Sequence, residues 1–134
     1  MSRLEHITTP DGVAPALAGG YSHVVSASGR FVVISGQVAF DESGEIVGRG
    51  DPTAQAAQVF ENLGRCLAAA GATFADVVKL TYFVTDMRWL PQIREIRDRY
   101  IPSEAKPAST AVQIVALAVP DLLLEVEALA VVAD

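Results

Sequence analysis

Apolar residues in this chain recur with two periods, and the switches between them mark out its elements. A period of two over Leu122–Val132 predicts a strand with Leu124, Val126 and Ala128 on one face and Leu123, Glu125, Glu127 and Leu129 on the other. The run Ala108–Val115 predicts a second strand, joined to it through a turn at Val119-Pro120-Asp121. Both are apolar on both faces, as befits strands covered on two sides. Shorter runs predict strands over Leu4–Ile7, Tyr21–Ala27, Phe31–Val38 and Val77–Thr85, the last with Val78, Leu80, Tyr82 and Val84 on one face. Ser28-Gly29-Arg30 reads as a tight turn that makes a hairpin of its two flanking strands. Gly36, inside a strand, signals a bulge or a close backbone approach, for which a ligand is one reason.

A longer period takes over twice. Ala56, Val59, Phe60, Leu63, Cys66, Leu67 and Ala70 recur at helical spacing. Asp51 suits the N-cap of that helix, Pro52 its first turn and Gly71 its stop. A second helix runs from Trp89 or Leu90 to Tyr100 on Leu90, Ile93, Ile96 and Tyr100, and Pro102 ends it. Its charges, Arg94, Glu95, Arg97, Asp98 and Arg99, read by default as a solvated, ion-paired face. The order β-β-β-α-β-α-β-β predicts an α+β sheet with two helices on one face. Val13–Gly20, with Pro15 and Gly19-Gly20, reads as a loop of the kind that carries binding residues.

Composition narrows the function classes. The 134 residues, 51% of them hydrophobic, suit one domain over 1–134, with no repeat, linker or low-complexity segment. No apolar run is long enough to span a membrane, and the N-terminus lacks the pattern of a secretion signal. Cys66, the single cysteine, sits on the apolar stripe of the first helix. It reads as an inert packed thiol and fits a cytoplasmic protein. The net charge of −6 argues against nucleic acid as a partner, although half of the ten Lys and Arg residues fall between Arg88 and Lys106. So large an apolar fraction suggests that some surface is buried against other subunits.

Candidate chemistry is sparse. His6 and His23 have no Cys or carboxylate at ligand spacing, so neither a metal nor any other cofactor is expected. Gly19-Gly20 lacks the rest of a phosphate-cradling loop. Glu125 and Glu127 share one face of an apolar strand, where a carboxylate is costly unless solvated, paired or facing a ligand.

Four stretches together resemble the RidA/YjgF family, also labelled endoribonuclease L-PSP. They are Gly20-Tyr21-Ser22, Ile34-Ser35-Gly36-Gln37, Val78 to Asp86, and Pro107-Ala108 followed by Leu124-Glu125-Val126-Glu127-Ala128-Leu129-Ala130. They occur in the family's order over nearly the whole chain. The resemblance implies a chorismate-mutase-like fold with a mixed sheet, assembled as a homotrimer with ligand clefts between subunits. Active members hydrolyse a 2-imino or enamine acid to a keto acid and ammonia. Carried over by motif, Tyr21 is the pocket tyrosine, Ser35 and Gly36 the strand contacts, and Glu127 the carboxylate that positions the attacking water. No cofactor is implied.

The chain departs from the pattern where the deaminases carry an arginine. Pro107-Ala108-Ser109 sets Ser109 there, and a hydroxyl is no substitute for a bidentate, charge-assisted clamp on a substrate carboxylate. Arg94, where the family often has Asn, offers a cation from another direction, as do Arg97 and Lys106. Two functions follow: a deaminase-like hydrolase with altered substrate preference, or a trimeric small-molecule-binding or regulatory protein without catalysis. A ribonuclease has little physical backing in so acidic a chain.

Overall fold

The computed structural model describes residues 3–133. Its strands are β1 (Leu4–Ile7), β2 (Val24–Ala27), β3 (Arg30–Gln37), β4 (Val77–Val84), β5 (Ala108–Gln113) and β6 (Leu124–Val132), with helices α1 (Pro52–Ala69) and α2 (Leu90–Arg97). β3, β6, β4 and β5 form one sheet in that order, with β4 and β5 parallel and the other pairs antiparallel. The sheet is therefore mixed, and β4 lies between the two C-terminal strands.

The predicted hairpin does not form. β2 pairs with β1 from Ile7↔Val24 to Leu4↔Ala27, while β3 pairs with β6. Gly29 marks the place where the path departs. It takes a φ of 141° and lies so close to Val132 that a Cβ would stand 2.1 Å from the Val132 carbonyl oxygen. The chain there crosses onto the end of β6 instead of turning back on itself.

α1 begins where the sequence indicates, the Asp51 carboxylate accepting from the Ala54 N–H and Pro52 following in the first turn. Val59, Phe60, Leu63 and Leu67 of α1 and Ile93 and Ile96 of α2 are buried against one sheet face, made of Val32, Ile34, Leu80, Tyr82, Val126 and Ala128 among others. Each such side chain contributes roughly 1.5–3 kcal/mol on burial. A register shift between Val77 and Lys79 sends Val77 into this core and leaves Val78 only half-buried, so the strand's predicted alternation fails at its first residue. α2 is shorter than its pattern predicts. It passes after Arg97 into turns in which Asp98 N–H bonds the Arg94 carbonyl and Ile101 N–H the Arg97 carbonyl. No helix among the described residues is long and apolar enough to cross a membrane.

The second sheet face carries no helix. Phe31 and Val33 are 64% and 73% exposed there, and Val112 39%. Register puts Glu127, Thr81 and Thr110 in one row of this face, and Glu125, Phe83 and Val112 in the next.

Candidate functional site

The residues singled out from the sequence fall into two groups. The first lies on the helix side of the sheet, at its β5 edge. Ser109 pairs in register with Leu80, a core residue, and so points towards the helices. Beside it opens a cavity of about 490 Å³ whose polar lining is Tyr21, Arg94, Ser109 and Thr110. Leu17, Met87, Leu90 and Ala111 supply its apolar wall. The neighbouring Thr110 side chain points to the other, bare face, where its Oγ1 accepts from Lys79 Nζ at 2.7 Å.

Tyr21 reaches this cavity because long-range contacts strap its loop down. Ser22 N–H bonds the Pro107 carbonyl at 3.1 Å, and its hydroxyl donates to the Lys106 carbonyl at 2.7 Å. The strand predicted from Tyr21 accordingly starts only at Val24. Lys106 Nζ donates to the Gly19 carbonyl at 2.7 Å, and Arg97 Nη1 to the Gly20 carbonyl at 2.7 Å. The Tyr21 ring stands edge-on to His23, with centroids 5.4 Å apart.

These bonds decide which cation is free. Arg97 is 5% exposed and also grips Asp98 Oδ1 through Nε and Nη2, at 3.0 and 2.8 Å. It is not the solvated charge that helix composition predicts. Ile93, Ile96, Arg97 and Tyr100 share one helical stripe, and that spacing was the signal for its burial. Beside it, burial pushes the Tyr82 phenol up to about 12, and the Arg97 guanidinium opposes the effect. The Tyr82 hydroxyl nonetheless has no partner at hydrogen-bonding geometry. Arg94, by contrast, is half-buried and makes no hydrogen bond or ion pair with the described residues. Its guanidinium packs on Gly20, where an added Cβ would meet Nε at 3.7 Å and Cζ at 3.8 Å. Of the three candidate cations, Arg94 alone lines the cavity with Tyr21 and Ser109.

The second group lies on the bare sheet face and is not brought to the first within one chain. Ser35 and Gly36 fall in a bulge, between Ile34↔Ala128 and Gln37↔Val126, and so oppose Glu127. Glu127 is exposed, pairs with Thr81, and borders a hollow of about 100 Å³ with Val33 and Lys79. Glu125 lies across Gly36, where a Cβ would come within 2.5 Å of its Cδ. The strand glycine therefore marks both a bulge and a close approach, to a side chain of the same sheet. Leu17, Met87, Leu90 and Thr110 were not read as site residues. Asp86, whose side chain accepts from Arg88 N–H, caps the turn that carries Met87 and was the one sequence sign of it. Among the described residues, no cluster of three or more His, Cys, Asp or Glu side chains is arranged to hold a metal ion.

A fold of this kind, with a strapped tyrosine loop and a carboxylate strand, has close counterparts. Residues 12–132 match the family model described as endoribonuclease L-PSP. A RutC family protein of Pyrococcus horikoshii is 41% identical over 118 residues, which cover 87% of this chain and 90% of that protein. A mouse protein named 2-iminobutanoate/2-iminopropanoate deaminase is 39% identical over 118 residues, covering 88% of this chain and 85% of its own. Among solved structures, a Rid-family protein of unknown function from Yersinia pestis superposes with a TM-score of 0.82 at 40% identity, covering 98% of this chain and all of that one. The chain belongs to the RidA/YjgF family, the endoribonuclease L-PSP family of the matching model.

Proposed function

We propose that the protein is a Rid-type hydrolase of 2-imino acids in which Arg94, on α2, holds the substrate carboxylate in place of the strand arginine that Ser109 lacks. The observation that carries this reading is the unpaired Arg94 guanidinium lining one cavity with Tyr21 and Ser109. A guanidinium without a carboxylate partner among the described residues is suited to receive one from a ligand, and the bidentate fork fixes its orientation. The name of the mouse relative supports the reaction class.

In this reaction water adds across the C=N bond to give a carbinolamine, which expels ammonia and leaves the 2-oxo acid. Glu127 orients the attacking water and takes its proton, while Tyr21 supplies a hydroxyl at the cleft wall. Glu127 lies on the bare sheet face and Arg94 at the β5 edge, so the cleft is completed by a second copy of the chain. The uncovered Phe31, Val33 and Val112 support such an assembly, and a homotrimer is the form that the family resemblance implies. The cytoplasm is the expected compartment.

The alternative, a non-catalytic binding protein, is favoured by Ser109 itself. Following loss of imines generated by an amino-acid oxidase separates the two. The wild type should accelerate imine loss, and Glu127→Gln should slow it by roughly 10²–10⁴-fold with the assembly intact. Equal rates for the two proteins would remove Glu127 from the mechanism. An oxo acid bound without any imine turnover would establish the binding protein instead.

A further inference from the structure

Moving the cation from β5 to α2 changes the shape of the space left for the substrate. Ser109 and Ala111, two residues apart on β5, both face the helix side and are both small, so the cavity has a shallow floor along the strand. An arginine at position 109 would project into this same space, and a serine leaves it open. Within one chain this open hollow measures about 490 Å³, which is room for side chains larger than that of alanine's imine. The apolar lining comes from Leu17, Met87 and Leu90, the last one turn before Arg94 on α2, and the cavity lining holds no charge other than Arg94. Leu17 stands 73% exposed, a large apolar side chain whose cover is favourable and which the described residues do not provide.

We infer that the cleft selects 2-imino acids with a branched or extended apolar side chain, carboxylate on Arg94 and side chain against Leu17, Met87 and Leu90. The inference rests on the hydrolase reading above and adds the substrate class. A charged or amide side chain finds no partner on that wall, so its desolvation is uncompensated. An apolar one gains about fourfold in kcat/KM per buried carbon, which puts the leucine-derived imine, with three more, up to roughly 60-fold above the alanine-derived one.

The experiment compares kcat/KM of the full-length protein for imines generated in situ from alanine, leucine and glutamine. Leucine's imine should lead by roughly tenfold or more, with glutamine's close to alanine's. Leu17→Ser and Met87→Ser should each reduce the leucine-to-alanine ratio several-fold, and Leu17 is exposed enough for its replacement to leave folding intact. Alanine's imine equal to or better than leucine's would overturn the inference and leave the hydrolase reading standing. So would a leucine preference that neither variant alters. Failure to hydrolyse any of the three would overturn the hydrolase reading itself.

Discussion

Replacing Arg94 by methionine tests the relocated clamp with little structural interference. The side chain is half-buried, packs on the Gly20 backbone and makes no hydrogen bond or ion pair within the described chain. Methionine retains the aliphatic contact, so folding free energy should change by no more than about 0.5 kcal/mol, the usual range for surface changes away from special features. Catalysis should respond very differently. Truncating one partner of a hydrogen-bonded charge pair costs roughly 2–5 kcal/mol, equivalent to about 30- to 4,000-fold in kcat/KM. Ser109→Arg in the same chain returns a cation to the strand from across the cavity, and part of the lost activity should come back. In the wild-type background the same change crowds two guanidinium groups into one cavity and should help less, or harm. A double-mutant cycle on imine hydrolysis, with urea midpoints measured alongside, isolates this coupling. A loss under about threefold for Arg94→Met, or a loss matched by destabilisation, would refute the clamp.

Three further outcomes follow. Arg97→Met should cost roughly 1–3 kcal/mol of stability, because the Gly20 carbonyl loses its buried donor, with Arg97→Lys recovering part of it; an unchanged urea midpoint would remove Arg97 from the loop's support. Tyr82 holds its proton more tightly folded than unfolded, so its contribution is complete below about pH 10 and is lost as the pH rises towards 12. Tyr82→Phe should flatten the alkaline fall in stability by roughly 2–3 kcal/mol at its end, and parallel curves for the two proteins would contradict this. The wild type should sediment as a trimer of the 14.2 kDa chain, and Val33→Glu, on the bare sheet face, should shift it towards monomer without unfolding it. A folded wild-type monomer at working concentration would sink the shared cleft.

How much of this was legible in the sequence depends on the range of each interaction. The alternation of β6 placed Leu124, Val126 and Ala128 in the core and Glu125 and Glu127 on the other face, because a two-residue period is local. The start of α1 was equally plain from Asp51 and Pro52. The pairing of β3 was not: its partner β6 lies far along the chain, and adjacency suggested β2 instead. Val78 was misplaced because a bulge shifts the period, and no residue there announces it. In the site, Ser109, Tyr21 and Arg94 were each nameable from motifs or from departures from them. Their convergence depends on Arg97 reaching Gly20 and Lys106 reaching Gly19, contacts that helical charge patterning gives no means of foreseeing. The same two contacts engage two of the three candidate cations, which is what turns the proposal towards Arg94.

The central claim, a substrate carboxylate held from α2, is tested most directly by a crystal structure with a bound 2-oxo acid such as the product of leucine's imine. Carboxylate oxygens should lie about 2.7–2.9 Å from the Arg94 guanidinium, beside Tyr21 and Ser109, in a cleft closed by a neighbouring copy. A carboxylate held elsewhere, with Arg94 turned to solvent, would contradict it.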